Sequence, residues 1–400
     1  MQTMLFVDDE PRVLQGLQRQ LRTMRHEWDM HFVESGPKAL EFLAGTPVQV
    51  IVTDMMMPGM DGAQLLAEVV SRYPDTVRLI LSGHADREAV LRLVGPAHQY
   101  LSKPCNPDEL RAAIQRSLSM RGLLSNDKLK QVVSRIPCLP SLPSLHAELT
   151  AELRSEDPSL EKVSEIISKD IGMATKVLQI ANSAFFGLSQ PAADVHEAVL
   201  YLGLSTIRAL VLSVQVFSQF NPNAVRGFSI DALMHHCWRV SSFGRRIAHA
   251  EHCQPKLDDQ CFLAGLLHDI GHLILAAGLP EEYSRVLSVA TTDEAGFCDA
   301  ERAEFGATHA EVGAYLLGLW GLPAPIVEAV ALHHHPANAT LHALSPVVIV
   351  HAADALASPC DASIPEKPSP QLDTPYLQSL GLAERVECWR ELCLGEAQTA

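Results

Sequence analysis

The strongest constraint on the fold comes from short apolar runs near the start of the chain that end at charged or hydroxyl side chains. The runs that read as β-strands are Met4–Val7, Val48–Thr53 and Val77–Leu81. The side chains that follow these runs or a later apolar stretch are Asp8, Asp9, Asp54, Ser82 and Lys103. Strand ends of a parallel α/β sheet meet at one crevice, so the sequence predicts a doubly wound sheet with these groups at its edge.

A divalent cation is expected among the three carboxylates, because they would otherwise repel one another. Mg²⁺ prefers oxygen ligands and retains several waters, so we predict a magnesium site at Asp8, Asp9 and Asp54. The ion and the Lys103 ammonium would neutralise a phosphoryl group that Asp54 attacks as a carboxylate nucleophile. The predicted product is an aspartyl phosphate. The alternative is that these acids, with Asp61, only cap loops and helices.

Residues 1–120 resemble a two-component receiver domain. The matching motifs, in chain order, are Asp8-Asp9, Asp54-x-x-x-Pro58-x-x-Asp61-Gly62, Ser82-Gly83, Tyr100 and Lys103-Pro104. The resemblance implies a five-stranded, flavodoxin-like parallel sheet and a sensor histidine kinase or phosphotransfer protein as partner. It also implies a role for each matching residue: metal-binding acids at Asp8 and Asp9, the phosphoacceptor at Asp54, a hydroxyl switch at Ser82, an aromatic switch at Tyr100 that turns inward on phosphorylation, and the lysine at Lys103.

Length and charge limit the function classes. A chain of 400 residues is expected to hold two or three domains, and 47% hydrophobic with 20% charged residues is typical of globular proteins. The formal net charge of −16 argues against a nucleic-acid partner, and with it against a transcription factor, because binding a phosphate backbone requires clustered Lys and Arg.

Cysteines and apolar runs indicate a cytoplasmic protein without membrane contact of its own. The nine cysteines lack the spacing of a disulfide framework or a zinc site, which favours reduced thiols. We find no apolar run of 18 residues, and the acids at Asp8 and Asp9 interrupt the N-terminal apolar stretch before it could serve as a signal peptide.

Helical periodicity dominates the rest of the chain. A helical pattern over Pro107–Leu129 completes the first domain, and prolines at 137, 140 and 143 place a boundary near residue 135. We therefore predict a receiver at 1–120, a helical linker at 121–135 and an all-α domain at 136–394. The helices expected there are Leu160–Ala181, Val195–Phe217, Ile230–Ala250, Gln260–Leu275, His309–Leu319 and Leu377–Leu394, with a loop over 358–374.

Residues 130–390 resemble an HDOD domain, a helical signalling module similar to the HD phosphohydrolases. The motifs that carry the resemblance are Ile136-Pro137-x-Leu139-Pro140, Ser168-Lys169-Asp170, Ile180-Ala181-Asn182-Ser183, Tyr201-Leu202-Gly203, Leu266-Leu267-His268-Asp269-Ile270-Gly271 and Trp320-Gly321-Leu322-Pro323. HDOD domains are generally regarded as non-catalytic platforms that recruit partners. The resemblance thus implies an output domain that binds downstream signalling proteins, with a homodimer as one option.

The histidines keep a second interpretation open. The positions that match metal ligands of HD hydrolases are His236, His268, Asp269, His309, His333, His334 and Asp354. Fe, Mn or Zn at this set would favour a receiver-controlled metal-dependent phosphohydrolase or phosphodiesterase. The chain lacks the Gly-Tyr-Pro segment of cyclic-di-GMP phosphodiesterases and has His272 where they carry lysine, which argues against that substrate. We interpret His235, His335, His342 and His351 as hydrogen-bonded core imidazoles.

The favoured function is phosphorylation-gated partner binding. A phosphoryl group on Asp54 would change the receiver surface through Ser82 and Tyr100 and so alter its contact with the helical domain. The cognate kinase, the downstream target and the sign of the control are left open by the sequence.

Overall fold

A computed structural model gives the fold of the chain. It describes residues 1–83, 96–103, 105–120, 122–124, 126–134, 136, 139–141, 143–155, 157–182, 192–213, 218–219, 225, 227–289, 294–357 and 371–394. Of the predicted features, Pro104, Ser183, residues 214–217 and most of the loop at 358–374 lie outside the described residues.

The N-terminal region is a parallel sheet covered by helices. Its strands are β1 Gln2–Val7, β2 Trp28–Val33, β3 Val50–Asp54, β4 Val77–Gly83 and β5 Gln99–Lys103, in the order β2-β1-β3-β4-β5. Its described helices are α1 Pro11–Gln20, α2 Gly36–Gly45, α3 Gly62–Arg72 and α4 Pro107–Met120, with a 3₁₀ turn at Arg22–His26. The strand order changes direction between β1 and β3, which opens a crevice at their carboxyl ends. The predicted doubly wound class is confirmed.

The strands of this sheet bury both faces, as expected when helices cover a parallel sheet. Phe6, Val52 and Leu79 pack on one side, while Leu5 and Ile51 pack on the other. This double burial explains why the strands read as nearly continuous apolar runs. The observed β3 begins at Val50, two residues later than the sequence predicts, and it includes Asp54 itself.

The helical pattern predicted over Pro107–Leu129 corresponds to two helices, because the chain turns between them. Helix α4 ends at Met120, and helix α5 spans Asp127–Ser134. The Asn126 side chain accepts a hydrogen bond from the Leu129 amide at 3.2 Å and so caps α5, while Gly122 lies in the turn. A capping side chain and a glycine both favour a new start over continuation.

The C-terminal region is helical, as predicted. Its described helices are α6 Pro143–Arg154, α7 Leu160–Ser168, α8 Ile171–Ala181, α9 Val195–Ser213, α10 Ile230–Ala250, α11 Pro255–Leu267, α12 Ile270–Gly278, α13 Pro280–Val289, α14 Glu294–Phe305, α15 His309–Leu319, α16 Ala324–Leu332, α17 Pro346–Ala357, α18 Thr374–Ser379 and α19 Arg385–Leu394. A 3₁₀ turn lies at Pro336–Asn338, and the strands β6 Pro140–Ser141 and β7 Ser218–Gln219 form a two-residue parallel ladder that the sequence did not predict.

Four predicted helices of this region are interrupted. The stretch 195–217 is kinked at Gly203, whose φ of 74° and ψ of 157° are not helical. The other three are each two helices. The stretch 160–181 divides at Asp170, whose side chain accepts a hydrogen bond from the Met173 amide and starts α8. The stretch 260–275 divides at His268 and Asp269, and the stretch 377–394 divides into α18 and α19. Apolar periodicity continues through such breaks because both helices bury the same face.

Among the described residues, one helical stretch, Pro255–Gly278, is long and apolar enough to cross a membrane, but 89% of its apolar window is buried inside the protein. A core helix pair of a globular domain meets the same criterion. The buried apolar side chains form a cluster that runs from Phe6 and Val52 of the sheet into the C-terminal helices at Tyr315 and Leu319. The two regions therefore pack directly on each other.

Candidate functional site

The crevice at the sheet edge brings together the predicted acids and lysine. The ammonium of Lys103 lies 2.7 Å from Asp8 Oδ2 and 2.5 Å from Asp54 Oδ1. Asp8 is 1% exposed and Asp54 is 7% exposed. Oxygens of Asp8, Asp9 and Asp54 all lie within 4.8 Å of one another. Three hard oxygen donors with an open side toward solvent at Asp9 fit Mg²⁺, which binds through one or two carboxylates and keeps waters.

The environment of the crevice also shifts the pKa values of Asp54 and Lys103. Burial raises the pKa of Asp54, and the neighbouring Asp8 carboxylate adds to this rise, while the Lys103 ammonium lowers it. Burial alone would lower the pKa of Lys103, but its hydrogen bonds to Asp54 and Asp8 outweigh burial and raise it. Lys103 therefore stays a cation between two carboxylates, where it can meet an incoming phosphoryl group.

The remaining predicted receiver residues occupy different places. Ser82 lies in β4 opposite Ser102, and its side chain is outside the described part of the chain. Tyr100 lies in β5 with its ring 1% exposed, so the ring is already buried and an inward turn from solvent is not required. Asp61 caps α3 by accepting a hydrogen bond from the Gln64 amide at 2.8 Å. The alternative interpretation as a capping acid thus holds for Asp61.

The histidines and acids of the helical region form a second, deeply buried cluster. We define the histidine cluster as His236, His268, Asp269, His309, His333, His334 and Asp354, the set predicted from the sequence. His236 Nε2 lies 3.0 Å from Asp354 Oδ1 and 3.6 Å from Asp269 Oδ2. His268 Nε2 lies 3.3 Å from Asp269 Oδ2. These four residues come from α10, the α11–α12 turn and α17.

The other oxygen of Asp269 faces the second half of the cluster. His309 Nε2 lies 3.5 Å and His333 Nε2 lies 3.7 Å from Asp269 Oδ1. His334 completes this group, and its Nε2 is 2.8 Å from His309 Nε2. Asp269 is therefore shared by two groups of ligand atoms, with one carboxylate oxygen directed to each. This arrangement is typical of a carboxylate that bridges two ions.

The spacing of these atoms matches ligands of a common ion. Nitrogen and oxygen ligands about 2.1 Å from a metal lie about 3.0 to 3.4 Å from one another in octahedral or tetrahedral geometry. In the first group, the distances from His236 Nε2 to Asp354 and from His268 Nε2 to Asp269, 3.0 and 3.3 Å, fall in that range. The distances from His236 Nε2 to Asp269 and from His268 Nε2 to Asp354, 3.6 and 3.7 Å, are slightly longer. The distances in the second group are a few tenths of an ångström longer.

Hydrogen bonds on the far side of the rings fix their tautomers. His268 Nδ1 lies 2.7 Å from the Gly265 carbonyl oxygen, and His333 Nδ1 lies 2.8 Å from the Val330 carbonyl oxygen. A carbonyl only accepts, so Nδ1 carries a proton in both rings, and in a neutral ring Nε2 then presents a lone pair. Both Nε2 atoms are buried, have no hydrogen-bond partner among the described residues and face oxygens of Asp269. Lone pairs that face carboxylate oxygens require a proton or a metal ion between them.

Near neutral pH, no proton on His333 Nε2 bridges this nitrogen to the Asp269 carboxylate. Burial lowers the pKa of His333 to about 4, an effect only partly offset by Asp269. The ring is therefore neutral at pH 7, and the donor set of imidazole nitrogens and carboxylate oxygens fits Fe, Mn or Zn. Such an ion would supply Lewis acidity and an activated water when bound.

Sequence reasoning missed residues around this cluster. Glu301 of α14 is fully buried, and its Oε2 accepts hydrogen bonds from His309 Nδ1 at 2.7 Å and the His309 amide at 2.9 Å. The His272 ring stacks on the His309 ring, and its Nδ1 lies 2.6 Å from the Tyr283 hydroxyl oxygen. Cys237 lies within reach of His268 and Asp269. No local pattern marks Glu301, because it lies in an ordinary amphipathic helix.

The prediction for the other histidines is largely wrong. His235, His335 and His342 are exposed, so they are not core imidazoles. Only His351 behaves as expected, because its Nδ1 contacts the His333 carbonyl oxygen at 2.7 Å and its Nε2 accepts from the Asp373 amide at 2.9 Å. His235 lies beside the buried His236 in α10, where adjacent residues face different directions, and His335 lies beside the buried Pro336. His342 lies between two other exposed residues, Leu341 and Ala343.

Comparison with protein families gives two matches that together cover most of the chain. The family described as "Response regulator receiver domain" matches residues 4–115, which hold the acidic crevice. The family described as "HDOD domain" matches residues 139–336, which hold the histidine cluster except Asp354.

Relatives with curated sequences share parts of the chain. An uncharacterized protein of Treponema pallidum is 27% identical over 209 residues, 51% of this chain and 39% of the relative. The hydrogenase transcriptional regulatory protein HoxA of Cupriavidus necator is 37% identical over 123 residues, 30% of this chain and 25% of the relative. The chain thus spans well under half the length of these two relatives. Among solved structures, the MmoQ response regulator of Methylococcus capsulatus is 26% identical, with a TM-score of 0.49, over 63% of this chain and 98% of that chain.

Proposed function

Because the chain belongs to the response regulators that join a receiver domain to an HDOD domain, we propose that Asp54 accepts a phosphoryl group and thereby controls the HDOD output. The donor is the phosphohistidine of a sensor kinase or phosphotransfer protein. A carboxylate oxygen of Asp54 attacks phosphorus, and the phosphorus–nitrogen bond of the donor breaks. Mg²⁺ held by Asp8, Asp9 and Asp54 would neutralise the phosphoryl oxygens.

The observation that carries this proposal is the position of Lys103 between Asp8 and Asp54. The ammonium contacts both carboxylates, and it lies at the end of β5, where its backbone is fixed by pairing with β4. A fixed cation beside the nucleophile stabilises the charge on a transferring phosphoryl group without reorganisation. A purely capping role for Asp54 would not require a lysine from a different strand.

Replacing Asp54 tests this function directly. We expect Asp54→Asn to lower incorporation of labelled phosphate from a phosphodonor such as acetyl phosphate, with Mg²⁺ present, by at least about a hundredfold, because the amide is not a nucleophile. The measurement is labelled phosphate per chain after gel filtration.

The matched control is Asp61→Asn. Asp61 lies on the same side of the sheet and caps α3, and asparagine caps a helix equally well, so incorporation should stay within about twofold of wild type. Equal labelling of the Asp54→Asn variant and wild type would refute Asp54 as the phosphoacceptor.

The HDOD domain is then an output surface for partner proteins. Large apolar side chains are exposed on helices α9 and α10 of this domain: Leu200 at 51%, Tyr201 at 43% and Trp238 at 38%. Exposed aromatic residues of this size are enriched at protein interfaces. These residues support recruitment of downstream signalling proteins as the output.

A receiver-controlled metal-dependent phosphohydrolase is the second candidate, and the tautomers of the histidine cluster favour it. The Nε2 atoms of His268 and His333 face oxygens of Asp269 with no hydrogen-bond partner among the described residues, and the neutral His333 ring offers its lone pair to a metal ion. The buried ligands, Asp269 as a shared carboxylate and Glu301 behind His309 match the needs of a metal centre with a supporting second layer of hydrogen bonds.

Metal analysis of the purified chain tests the second candidate. We expect Fe, Mn or Zn near stoichiometric amounts, lowered at least about tenfold by Asp269→Asn, because that residue contributes an oxygen to both groups. His249→Asn, at an exposed histidine, is the control and should leave the metal content unchanged. Retained metal justifies assays with phosphomonoester and phosphodiester substrates. A metal-free protein would contradict the hydrolase and leave protein binding as the remaining proposed output.

A further inference from the structure

We propose that helix α15 couples the phosphorylation site to the histidine cluster, with Gln99 of β5 as the positioning residue that holds the helix. This inference rests on the proposed function and adds the route by which the two sites affect each other. The route runs from Asp54 through Lys103 and β5 to Gln99, and from there along α15 to His309.

Strand β5 connects the phosphorylation site to the helix. Lys103, its last residue, contacts Asp54, and Gln99, its first residue, contacts α15. The strand is paired with β4 along its whole length, from Gln99 opposite Leu79 to Lys103 opposite Gly83. A change in the position of Lys103 when the phosphoryl group binds is therefore carried to the far end of a short, fully paired strand.

The C-terminus of α15 is held by this strand. Gln99 Nε2 donates to the Leu319 carbonyl oxygen at 2.9 Å and to Ser117 Oγ at 3.2 Å. The last carbonyls of a helix have no partner within the helix, so Gln99 satisfies one of them. Gln99 is 7% exposed, which excludes most water from competing for this contact. The receiver thus supplies a buried cap to an HDOD helix.

Further contacts join α15 and β5 to neighbouring elements at the same end. Gly318 lies against the Met120 side chain of α4, and a methyl group at Gly318 would overlap it. The Gln179 side-chain amide of α8 donates to the His98 carbonyl oxygen at 3.2 Å, next to Gln99, and Lys176 of α8 lies 5.6 Å over the Trp320 ring. The beginning of β5 is therefore enclosed by the end of α15 and by α8.

The N-terminus of α15 lies in the histidine cluster. His309 is the first residue of the helix, and its backbone amide and ring both bind Glu301. Gly271, two residues after Asp269, lies against the His309 carbonyl oxygen, and a methyl group at that position would overlap it. The first turn of α15 and the segment that carries Asp269 are thus packed backbone against backbone.

Helix α15 acts as a short rigid connector between these ends. Eleven residues span about 16 Å, and a helix packed on both sides moves as a unit because protein interiors are close-packed. A shift of Leu319 therefore displaces His309 relative to Asp269. Metal affinity at the cluster depends on that geometry, so phosphorylation should change it, and by linkage metal binding should change phosphoryl affinity by the same factor.

The test measures Mn²⁺ affinity of the full chain with and without beryllofluoride, which occupies the phosphoryl position at Asp54. Excess Mg²⁺ saturates the receiver site, and calorimetry gives the Mn²⁺ dissociation constant. We expect beryllofluoride to change that constant about fivefold or more in wild type. In Gln99→Met, which keeps the side-chain volume but removes the amide donor, we expect a change of less than about twofold while both ligands still bind.

Gln131→Met is the matched control. Gln131 of α5 also bonds the receiver, through Asp75 Oδ2 at 3.2 Å, and this hydrogen bond does not involve α15. This variant should keep the wild-type factor, and circular dichroism verifies that both variants are folded. Gln99→Ala repeats the test if Gln99→Met is not folded.

Four results would overturn the coupling, and they separate it from the proposed function. Independent binding of the two ligands in wild type refutes the coupling but leaves both sites intact, and equal loss of coupling in the Gln131 variant refutes the route through Gln99 and α15. Absence of Mn²⁺ binding at the cluster refutes the metal centre, and absence of beryllofluoride binding refutes the Asp54 site, and each removes the coupling with it.

Discussion

His98 is a buried imidazole at the point where the sheet meets helix α5. Its Nδ1 accepts a hydrogen bond from the Arg78 amide at 3.1 Å, and its Nε2 lies 3.4 Å from the Ser134 carbonyl oxygen. Burial lowers the pKa of His98 well below its usual value, and the nearby Arg78 guanidinium lowers it further. The ring is therefore neutral in the folded protein throughout the physiological range.

This neutral ring predicts a loss of stability in acid. The unfolded chain binds a proton at His98 below about pH 6.5, whereas the folded chain does not, so the free energy of unfolding falls as pH drops through 6.5. From pH 7.5 to 5.5 the contribution of His98 is about 1.4 kcal/mol. Urea unfolding at both pH values should show a smaller decrease for His98→Asn than for wild type.

An exposed histidine provides the comparison for this prediction. His249→Asn, at an exposed histidine away from His98, is the control and should keep the wild-type pH dependence. A His98→Asn variant whose stability decreases with pH as steeply as that of wild type would contradict the assignment.

At the scale of elements, helix α15 is fixed differently at its two ends. Gly271 of α12 meets a backbone carbonyl at the start of α15, while Gly318 near its end meets the far end of the flexible Met120 side chain. Backbone cannot move aside without shifting a helix, whereas a methionine side chain adopts another rotamer at low cost.

The two glycines therefore predict unequal effects of the same substitution. Gly271→Ala should lower the free energy of unfolding by about 2 to 3 kcal/mol through overlap with the His309 carbonyl. Gly318→Ala should stay within about 1 kcal/mol of wild type, because relief at Met120 and the better helix propensity of alanine offset the overlap. Chemical denaturation of both variants, followed by circular dichroism, measures the difference, and equal costs would contradict this account of the packing.

The helix breaks show how far element boundaries follow from local sequence. Asp170 and Asn126 are both side chains that cap helices, and each marks a true start that apolar periodicity alone passed over. The break at His268 and Asp269 has a different cause, since the Asp269 side chain forms no cap hydrogen bond there. Its carboxylate is directed instead into the cluster with His236 and His309.

At the scale of the whole molecule, Arg78 joins the receiver to helix α5. Its buried guanidinium donates to the Pro96 carbonyl at 2.6 Å, to the Thr76 carbonyl at 3.1 Å and to the Ser134 carbonyl at the end of α5 at 2.6 Å. Burial lowers the pKa of Arg78 to about 10, so the group remains a cation at neutral pH. The dipoles of these three carbonyl groups stabilise the positive charge of the guanidinium.

Lysine cannot replace this arginine. Arg78→Lys keeps the charge but loses the planar set of donors, so some of these carbonyls would be buried without partners. We expect the free energy of unfolding to fall by about 2 to 3 kcal/mol, measured by urea denaturation. Arg72→Lys is the control, because Arg72 forms an exposed i,i+4 pair with Glu68 and its replacement should cost less than about 0.5 kcal/mol. Equal costs would show that Arg78 contributes no more than a surface pair.

The sequence by itself determined the fold class of both regions and which side chains to examine. Apolar strands that end in polar residues are visible in the local sequence, and parallel strands place those ends at a common edge of the sheet. The sequence therefore predicts that Asp8, Asp54 and Lys103 lie together, and the structure places them in contact. Histidine and aspartate residues in helical context likewise marked His268 and Asp269.

Tertiary structure alone decided which groups meet across long sequence separations. Gln99 bonds a carbonyl 220 residues away, Glu301 sits behind His309, and Asp269 directs one oxygen to each half of the cluster. Exposure of His235 beside the buried His236 was decided in the same way. The physical reason is that local patterns encode the periodicity of an element, whereas its contacts depend on the packing of helices and strands that are distant in the chain.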